Sequence, residues 1–195
     1  MSIRASIQQG KLAGYQGDLS RAFEVLSAFR ASPYFDAEAQ HILGSIHYER
    51  GEYESAVDCF RKAAALSYAP AEVGLGRMYQ TGRGVDENLN EAMRWFAKAA
   101  QRGDAEANFN LGDLYYSGAV VTKNFARALG YFVVAASKGH ASSLYSLGLM
   151  HFQGDGTSAS GTSALKYFTL AADYGDPRAH AAIERLLAAD CTFED

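Results

Sequence analysis

The sequence predicts an all-α fold in which pairs of helices stack into a solenoid. A shift of 36 residues superposes Leu75-Gly76 on Leu111-Gly112 and on Leu147-Gly148. The same shift aligns three further sets of residues: Ala92, Ala128 and Ala164; Phe96, Phe132 and Phe168; Gly103, Gly139 and Gly175. A fixed period of about 20 to 50 residues is typical of solenoids. Aromatic residues are plentiful (12%) and proline is scarce (3 residues), which suits packed helices joined by glycine turns.

Composition and charge exclude several classes of function. A hydrophobic fraction of 48% and a charged fraction of 21% are those of an ordinary folded protein. The net charge of -4 gives no attraction for a polyanion, so nucleic acid is not an expected partner. The two cysteines, Cys59 and Cys191, are too far apart in sequence to indicate a disulfide framework or a metal-ligand pair.

The sequence shows no sign of membrane insertion or of a secretion signal. No stretch approaches the roughly 20 apolar residues that a membrane span needs. The first ten residues carry one positive charge and lack the apolar core of a signal peptide. We therefore expect a cytoplasmic protein, or a periplasmic one if a signal has been removed from the sequence.

Residues 1–34 are the least regular part and are predicted to be a degenerate copy of the unit that follows. Gly10, Gly17 and Ala22 each recur 34 residues later as the same residue type. A helix that starts at Asp18 carries an apolar stripe with a 3.6-residue period: Leu19, Ala22, Phe23, Leu26 and Phe29. Since solenoids often cover an exposed hydrophobic end by pairing, a homodimer through this N-terminal unit is a further expectation.

Residues 35–68 carry a recognisable helix-pair pattern. Its residues are Leu43-Gly44, Tyr48, Gly51, Tyr53, Ala56, Phe60 and Ala63. This pattern closely resembles the tetratricopeptide repeat (TPR). The spacing also has a physical reading, because Gly44 has no side chain and lets the two helices approach, while Phe60 fills the space between pairs.

The three 36-residue copies, 69–104, 105–140 and 141–176, differ from that pattern by a longer connection. Gly44 to Ala56 spans 12 positions, whereas Gly76 to Ala92 spans 16, so four residues are added between the helices. Asn88, Asn124 and Ser160 follow the added residues and are predicted N-caps of the second helices, with Glu91 completing a capping box around Asn88. With Leu75-Gly76-Arg77-Met78-Tyr79, Gly82-Arg83-Gly84-Val85 and Trp95-Phe96, these copies resemble the Sel-one-like repeat (SLR).

The last segment, 177–190, is predicted to be a capping helix that begins at Pro177. Its inward-facing residues would be Ala179, Ile183, Leu186 and Leu187. A lone helix after the last pair would cover the final hydrophobic face. The resemblance to TPR and SLR proteins then implies a right-handed α-α superhelix over residues 1–195, a single array of five helix pairs and a cap without a domain boundary.

The sequence contains no recognisable catalytic motif. His-Glu-x-x-His, Gly-x-Ser-x-Gly and the Gly-Lys-Ser/Thr phosphate loop are all absent, and the five histidines are scattered. Some SLR relatives have been linked with hydrolase activity, but those are disulfide-rich, and two cysteines argue against that activity here. We therefore predict a non-enzymatic protein with no cofactor and no metal site.

The candidate binding residues lie on the first helix of each pair. In TPR and SLR folds this helix lines the concave side, so the resemblance places nine residues in a groove: His41, Tyr48, Arg77, Gln80, Phe109, Asp113, Tyr116, Tyr145 and Phe152. Aromatic anchors with a few directional polar groups suit a peptide-binding groove. The alternative, that these rings only pack against neighbouring first helices, is open at this point.

The resemblance implies an adaptor or scaffold that binds a protein or peptide segment in this groove. Bacterial complex assembly, signalling and envelope or exopolysaccharide processes are settings in which such proteins act. The second hypothesis is a receptor for a small ligand or glycan in the same groove, since sugars stack on exposed rings. A groove open at both ends favours an extended peptide, whereas a closed pocket favours a small molecule.

Overall fold

The computed structural model describes residues 2–32 and 35–190, and this part of the chain consists of helices and connections without a strand. The helices are α1 (Ile3–Tyr15), α2 (Leu19–Phe29), α3 (Ala37–Glu49), α4 (Tyr53–Ala65), α5 (Ala69–Thr81), α6 (Leu89–Gln101), α7 (Ala105–Ser117), α8 (Phe125–Ala136), α9 (Ala141–Gln153), α10 (Gly161–Asp173) and α11 (Ala179–Asp190). The predicted all-α fold class is confirmed. The tail thiol of Cys191 lies outside the described residues.

The helices belong to two compact units, Met1–Arg102 and Gly103–Asp195. In the first unit α1 packs on α2, α3 on α4, and α5 on α6, and the second helix of each pair contacts the next first helix. In the second unit α7 packs on α8 and α9 on α10, while α11 packs on α10. Each unit is therefore a short stack of helix pairs.

The same glycine–phenylalanine contact holds the helix pairs together. A Cβ atom at Gly76 would lie 2.4 Å from the Phe96 ring, and one at Gly112 would lie 2.6 Å from the Phe132 ring. Phe60 contacts both Gly44 of its own pair and Gly74 of the next pair. The structure confirms the reason inferred for the leucine-glycine signature: the missing side chain makes room for a buried ring.

The predicted helix caps are present. The side chains of Asn88, Asn124 and Ser160 accept hydrogen bonds from the backbone N–H groups three residues later, at 2.9–3.1 Å. The predicted capping box around Asn88 is wrong, because the Glu91 carboxylate accepts from Arg94 at 2.6 Å instead. The backbone N–H of Asn88 already donates to the carbonyl of Tyr79, so it needs no side-chain partner.

The added loop of the 36-residue repeat packs on the preceding helix pair through a glycine. Gly84 has φ +69°, and a Cβ there would lie 2.6 Å from the carbonyl carbon of Tyr53, at the start of α4. Gly156 has φ +71° and is equally close to the backbone of Phe125, at the start of α8. The loop thus holds two neighbouring repeats together through backbone contact.

Most of the apolar stripe of α2 is buried or partly buried inside the first unit. Leu26 and Ala22 are fully buried. The Phe23 ring packs edge-on against His47 at 5.4 Å, and the Arg50 guanidinium lies 3.7 Å from its centre. Leu19 remains exposed. Of the hydrophobic end expected at Leu19, Phe23 and Leu26, the unit itself buries Leu26 and partly covers Phe23. A homodimer through the N-terminal unit stays a prediction.

The helix α11 continues the register of the repeats. A shift of 36 residues takes the buried Ser143 and Met150 of α9 to the buried Ala179 and Leu186 of α11. α11 is thus equivalent to the first helix of a further repeat. It begins at Ala179 rather than at the predicted Pro177.

One residue of α11 was assigned to the wrong face. Leu187, predicted to face inward, is exposed. It corresponds to His151 of α9, whose ring stacks on Tyr167 of the paired helix α10 at 5.1 Å. Among the described residues α11 has no paired second helix, so Leu187 has no ring to pack against. At the position of the contact glycine, Gly148, α11 carries Glu184.

Two glycines of one helix pair should respond in opposite ways to alanine. Gly130 of α8 has nothing within 4 Å of a Cβ, so Gly130→Ala should raise the free energy of unfolding by about 1 kcal/mol. Gly112→Ala in the facing helix should lower it by about 1–3 kcal/mol, because the Cβ would overlap the Phe132 ring. Denaturant unfolding followed by circular dichroism measures both; a shift of both variants in one direction would contradict this packing.

Candidate functional site

The first unit has a cavity between its first helices α3 and α5. The cavity has a volume of about 220 Å³ and is lined mainly by His41, Ser45, Tyr48 and Glu49 of α3 and by Pro70, Val73 and Arg77 of α5. The His41 ring packs against Phe60 at 5.6 Å and Tyr68 at 5.4 Å. Burial lowers the pKa of His41, so the imidazole is mainly neutral at pH 7. This wall of the cavity is aromatic and uncharged.

The Tyr48 ring is held in place by the loop of the following repeat. Arg83 donates a hydrogen bond to the Tyr48 hydroxyl. Its guanidinium lies 5.3 Å from the centres of both the Tyr48 and the Tyr53 rings, within the range of a cation–π contact. The loop therefore fixes the orientation of an aromatic side chain that lines the cavity.

The second unit has a corresponding cavity between α7 and α9. Its volume is about 210 Å³, and its lining includes Phe109, Asp113, Tyr116, Tyr145, Leu149 and Arg178. The Phe109 ring packs against His140 at 4.9 Å, and the Tyr145 ring packs against Phe168 at 5.4 Å. Phe109 also packs against the buried Phe132 at 5.9 Å. Because both rings rest on buried phenylalanines, the aromatic wall is preorganised.

The polar groups of this second cavity have distinct electrostatic states. The Tyr116 hydroxyl donates to Asp155 Oδ2 at 2.7 Å, and burial together with this bond raises the pKa of Tyr116 to about 12. The phenol therefore stays protonated at neutral pH. Arg178 forms an ion pair with Asp176 at 2.6 Å and lies over the Tyr145 ring at 4.2 Å. Desolvation raises the pKa of Asp113.

A third cavity lies on the other side of α9, toward α11. Its volume is about 150 Å³, and its lining includes Tyr145, Leu149, Phe152, Ala182, Arg185 and Leu186. Half of the Phe152 residue surface is exposed, at 50%. The third cavity is the most apolar of the three, with Arg185 as its charged member. Tyr145 and Leu149 line both cavities of the second unit.

Eight of the nine predicted binding residues line these three cavities. His41, Tyr48 and Arg77 line the cavity of the first unit, and the other five line the two cavities of the second unit: Phe109, Asp113, Tyr116, Tyr145 and Phe152. Gln80 lies half-buried on α5 and lines none of the three. The rings also pack within their own repeats, so packing and exposure to a cavity coexist in the same side chains.

Two arginines of the second unit line cavities but were not among the residues predicted from the sequence. Arg178 and Arg185 line cavities, although their segment was interpreted only as a cap. The 36-residue shift gives the signal, because it takes the cavity-lining Leu149 to Arg185 and, applied three times, the cavity-lining Pro70 to Arg178. Extending the repeat register through α11 would have found both.

His140 and His47 have structural contacts. His140 caps α9, since its Nδ1 accepts from the Ser143 N–H at 3.2 Å and its Nε2 lies 3.1 Å from Glu106. His47 pairs with Glu52 at 2.5 Å. Within residues 2–32 and 35–190 there is no group of three or more acidic, cysteine or histidine side chains that could hold a metal ion. No helix in this part of the chain is long and apolar enough to cross a membrane.

Solved structures with the same repeat resemble this chain. A Sel1 repeat protein from Oxalobacter formigenes is 34% identical with a TM-score of 0.69, and the match covers 73% of this chain and 59% of that protein. The protein c5321, a protective antigen of uropathogenic Escherichia coli strains with an SLR fold, is 34% identical with a TM-score of 0.73 over 80% of this chain and 34% of its own. This chain thus spans less than two thirds of either relative.

A third solved structure is similar to this chain in fold only. YrrB, described as a TPR protein with an unusual peptide-binding site, has a TM-score of 0.54 at 21% identity, over 95% of this chain and 90% of its own. No curated protein matches the chain.

The repeat families match most of the sequence. The tetratricopeptide repeat matches residues 7–70, and the Sel1 repeat matches residues 69–104, 105–140 and 141–176, more than half of the chain. Proteins built from these repeats generally act as scaffolds for protein interactions and are typically not enzymes. With the helix pairs, the glycine–phenylalanine contacts and three matched copies in agreement, the chain belongs to the Sel1 repeat family.

Proposed function

We propose that this chain is a non-enzymatic adaptor that binds an extended segment of a partner protein along its first helices. One observation carries the proposal: in both units the equivalent faces of neighbouring first helices line an open cavity with aromatic walls and a few polar groups. Aromatic side chains supply large contact area at low entropic cost, and such anchors dominate the binding energy of protein interfaces.

The size of the cavities favours a peptide over a small molecule. Pockets for small ligands are usually about 300–1,000 Å³ and enclose most of the ligand. The cavities here have volumes of about 220, 210 and 150 Å³ and are open to solvent. Each has room for one side chain rather than for a whole ligand. The two neighbouring cavities of the second unit suit a peptide that places one side chain in each.

The variation between repeats supports a selective adaptor. At the position two residues after the conserved leucine, the repeats carry Arg77, Asp113 and Leu149. These side chains line cavities, and none is required by the glycine–phenylalanine contact that holds the pairs together. Within the second unit, a segment bound along α7 and α9 would meet a carboxylate at Asp113 and an apolar side chain at Leu149, which provides specificity.

A peptide selection followed by mutation of one ring tests the proposal. Peptides enriched from a random phage-displayed library on the full chain should lose about 30-fold or more in affinity for Tyr145→Ala, because Tyr145 lines two cavities. Isothermal titration calorimetry measures the affinity. Phe152→Ala, at a more exposed ring, should weaken binding by a smaller factor without a change in stability.

The matched control is Tyr174→Ala, another tyrosine of the second unit, 59% exposed and outside the three cavities. It should leave the affinity unchanged. If Tyr174→Ala and Tyr145→Ala weakened binding equally while both variants kept their helical circular dichroism, the segment would bind elsewhere and the groove proposal would fail.

A further inference from the structure

The two cavities of the second unit differ in chemistry and share a wall. Tyr145 and Leu149 of α9 separate the α7–α9 cavity, with its aromatic rings and a carboxylate, from the α9–α11 cavity, with its mostly apolar lining. We name them the acidic cavity and the apolar cavity. The identity of the segment that fits both can be argued from charge and from spacing.

The acidic cavity contains one charge that has no compensating partner. Asp113 is an exposed residue that lines the cavity, and it receives no hydrogen bond and no ion pair from the residues that the structure describes. Partial desolvation raises the pKa of its carboxyl. The Arg178 guanidinium at the edge of the same cavity is neutralised by its two hydrogen bonds to Asp176, at 3.0 and 2.6 Å. A carboxylate in such surroundings is stabilised by a cation.

The rest of the acidic cavity also favours a positive side chain. The Tyr116 hydroxyl donates a hydrogen bond to Asp155, so a second carboxylate lies next to the phenol oxygen. The rings of Phe109, Tyr116 and Tyr145 offer aromatic surface, which packs well against the aliphatic stem of lysine or arginine and attracts the charged head. An acidic side chain would meet repulsion from Asp113.

The distance between the two cavities sets the spacing of the side chains that fill them. The cavities lie on opposite sides of α9, and packed helices have their axes about 8–10 Å apart. An extended chain advances about 3.3–3.6 Å per residue, so side chains that enter the two cavities are about three residues apart. A helical segment would need about five to seven residues for the same distance, because it rises about 1.5 Å per residue.

We propose that the second unit binds an extended segment with a lysine or arginine in the acidic cavity and, about three residues away, a large apolar side chain in the apolar cavity. This inference rests on the groove function proposed above and adds the chemistry of the partner. In the apolar cavity the occupant packs on Phe152 and Leu186, while Arg185 lies at the rim.

Two fluorescein-labelled peptides test the charge assignment on the full chain by fluorescence anisotropy. Both are ten residues long in a Gly-Ser background with leucine three positions from the variable residue, which is lysine in one and glutamate in the other. The lysine peptide should bind at least tenfold more tightly. Asp113→Asn should remove that preference, and Asp113→Arg should reverse it, since a cation then faces the peptide.

The substitutions at Asp113 are compatible with the fold. Arginine stands at the equivalent position of the preceding repeat as Arg77, so the repeat accepts Asp113→Arg. Asp173→Asn, at an exposed carboxylate of α10, is the control and should leave the lysine preference unchanged. A preference for the glutamate peptide, or a lysine preference that survives Asp113→Arg, would overturn the inference.

The random peptide library separates this inference from the groove function. Enriched peptides with a basic and an apolar residue three positions apart support it. Enriched acidic peptides, or a spacing of about five to seven residues, overturn it. The groove function stands if Tyr145→Ala still weakens the binding of those peptides about 30-fold or more. The absence of any enriched peptide overturns both.

Discussion

Replacing Phe96 with alanine is expected to lower the free energy of unfolding by about 3–5 kcal/mol. The Phe96 ring is completely buried and lies against Gly76, where no side chain can close the space that the ring would leave. Because the total stability of a domain is only about 5–15 kcal/mol, this single change should bring the protein close to unfolding at 37 °C. Urea unfolding monitored by circular dichroism measures the loss.

The control for Phe96→Ala is the same truncation at an exposed ring. Phe152→Ala removes the same atoms from a residue that is 50% exposed, and its free energy of unfolding should change by less than about 1 kcal/mol. Equal losses for the two variants would mean that the glycine–phenylalanine contact is not what stabilises the helix pair.

Gly84→Ala is expected to lower the free energy of unfolding by about 2–5 kcal/mol, for two separable reasons. The backbone of Gly84 has φ +69°, which costs an alanine about 1–2 kcal/mol. The new Cβ would also lie 2.6 Å from the backbone carbonyl of Tyr53, and displacing the loop from α4 should cost a further 1–3 kcal/mol or so. Thermal and urea unfolding of the purified variant give the sum.

Gly51→Ala separates the two contributions. Gly51 has φ +77° with nothing within 4 Å of a Cβ, so its alanine variant should show the backbone cost alone, about 1–2 kcal/mol. The difference between the two variants measures the contact between the loop and α4. If Gly84→Ala were no worse than Gly51→Ala, the loop would not hold the two repeats together.

The fold was predictable because its signal is repeated. One glycine next to one leucine indicates little, but the same pair at a period of 36, matched each time by a phenylalanine 20 positions later, indicates a helix pair. The helix caps were equally predictable, since a cap depends on local chemistry alone. The irregular first unit and the exposed Leu187 were harder, because what covers an apolar residue depends on which helix lies beside it.

The candidate site was predictable in position but not in chemistry. The repeat register identifies which residues lie on the first helices, and eight of the nine chosen line cavities. The sequence does not reveal that Asp176 neutralises Arg178, or that Asp113 has no such partner. Those facts depend on side-chain positions, which the repeat register does not determine.

Glu184 makes the surface of α11 different from that of the other first helices. In each 36-residue repeat a phenylalanine of the second helix packs on a glycine of the first, and on α9 that glycine is Gly148. On α11 a carboxylate stands in its place, and burying it beneath an aromatic ring without a partner would cost several kcal/mol. A phenylalanine that packed on α11 as Phe168 packs on Gly148 would therefore meet a carboxylate, so the glycine–phenylalanine contact cannot be repeated on α11 without removing that charge.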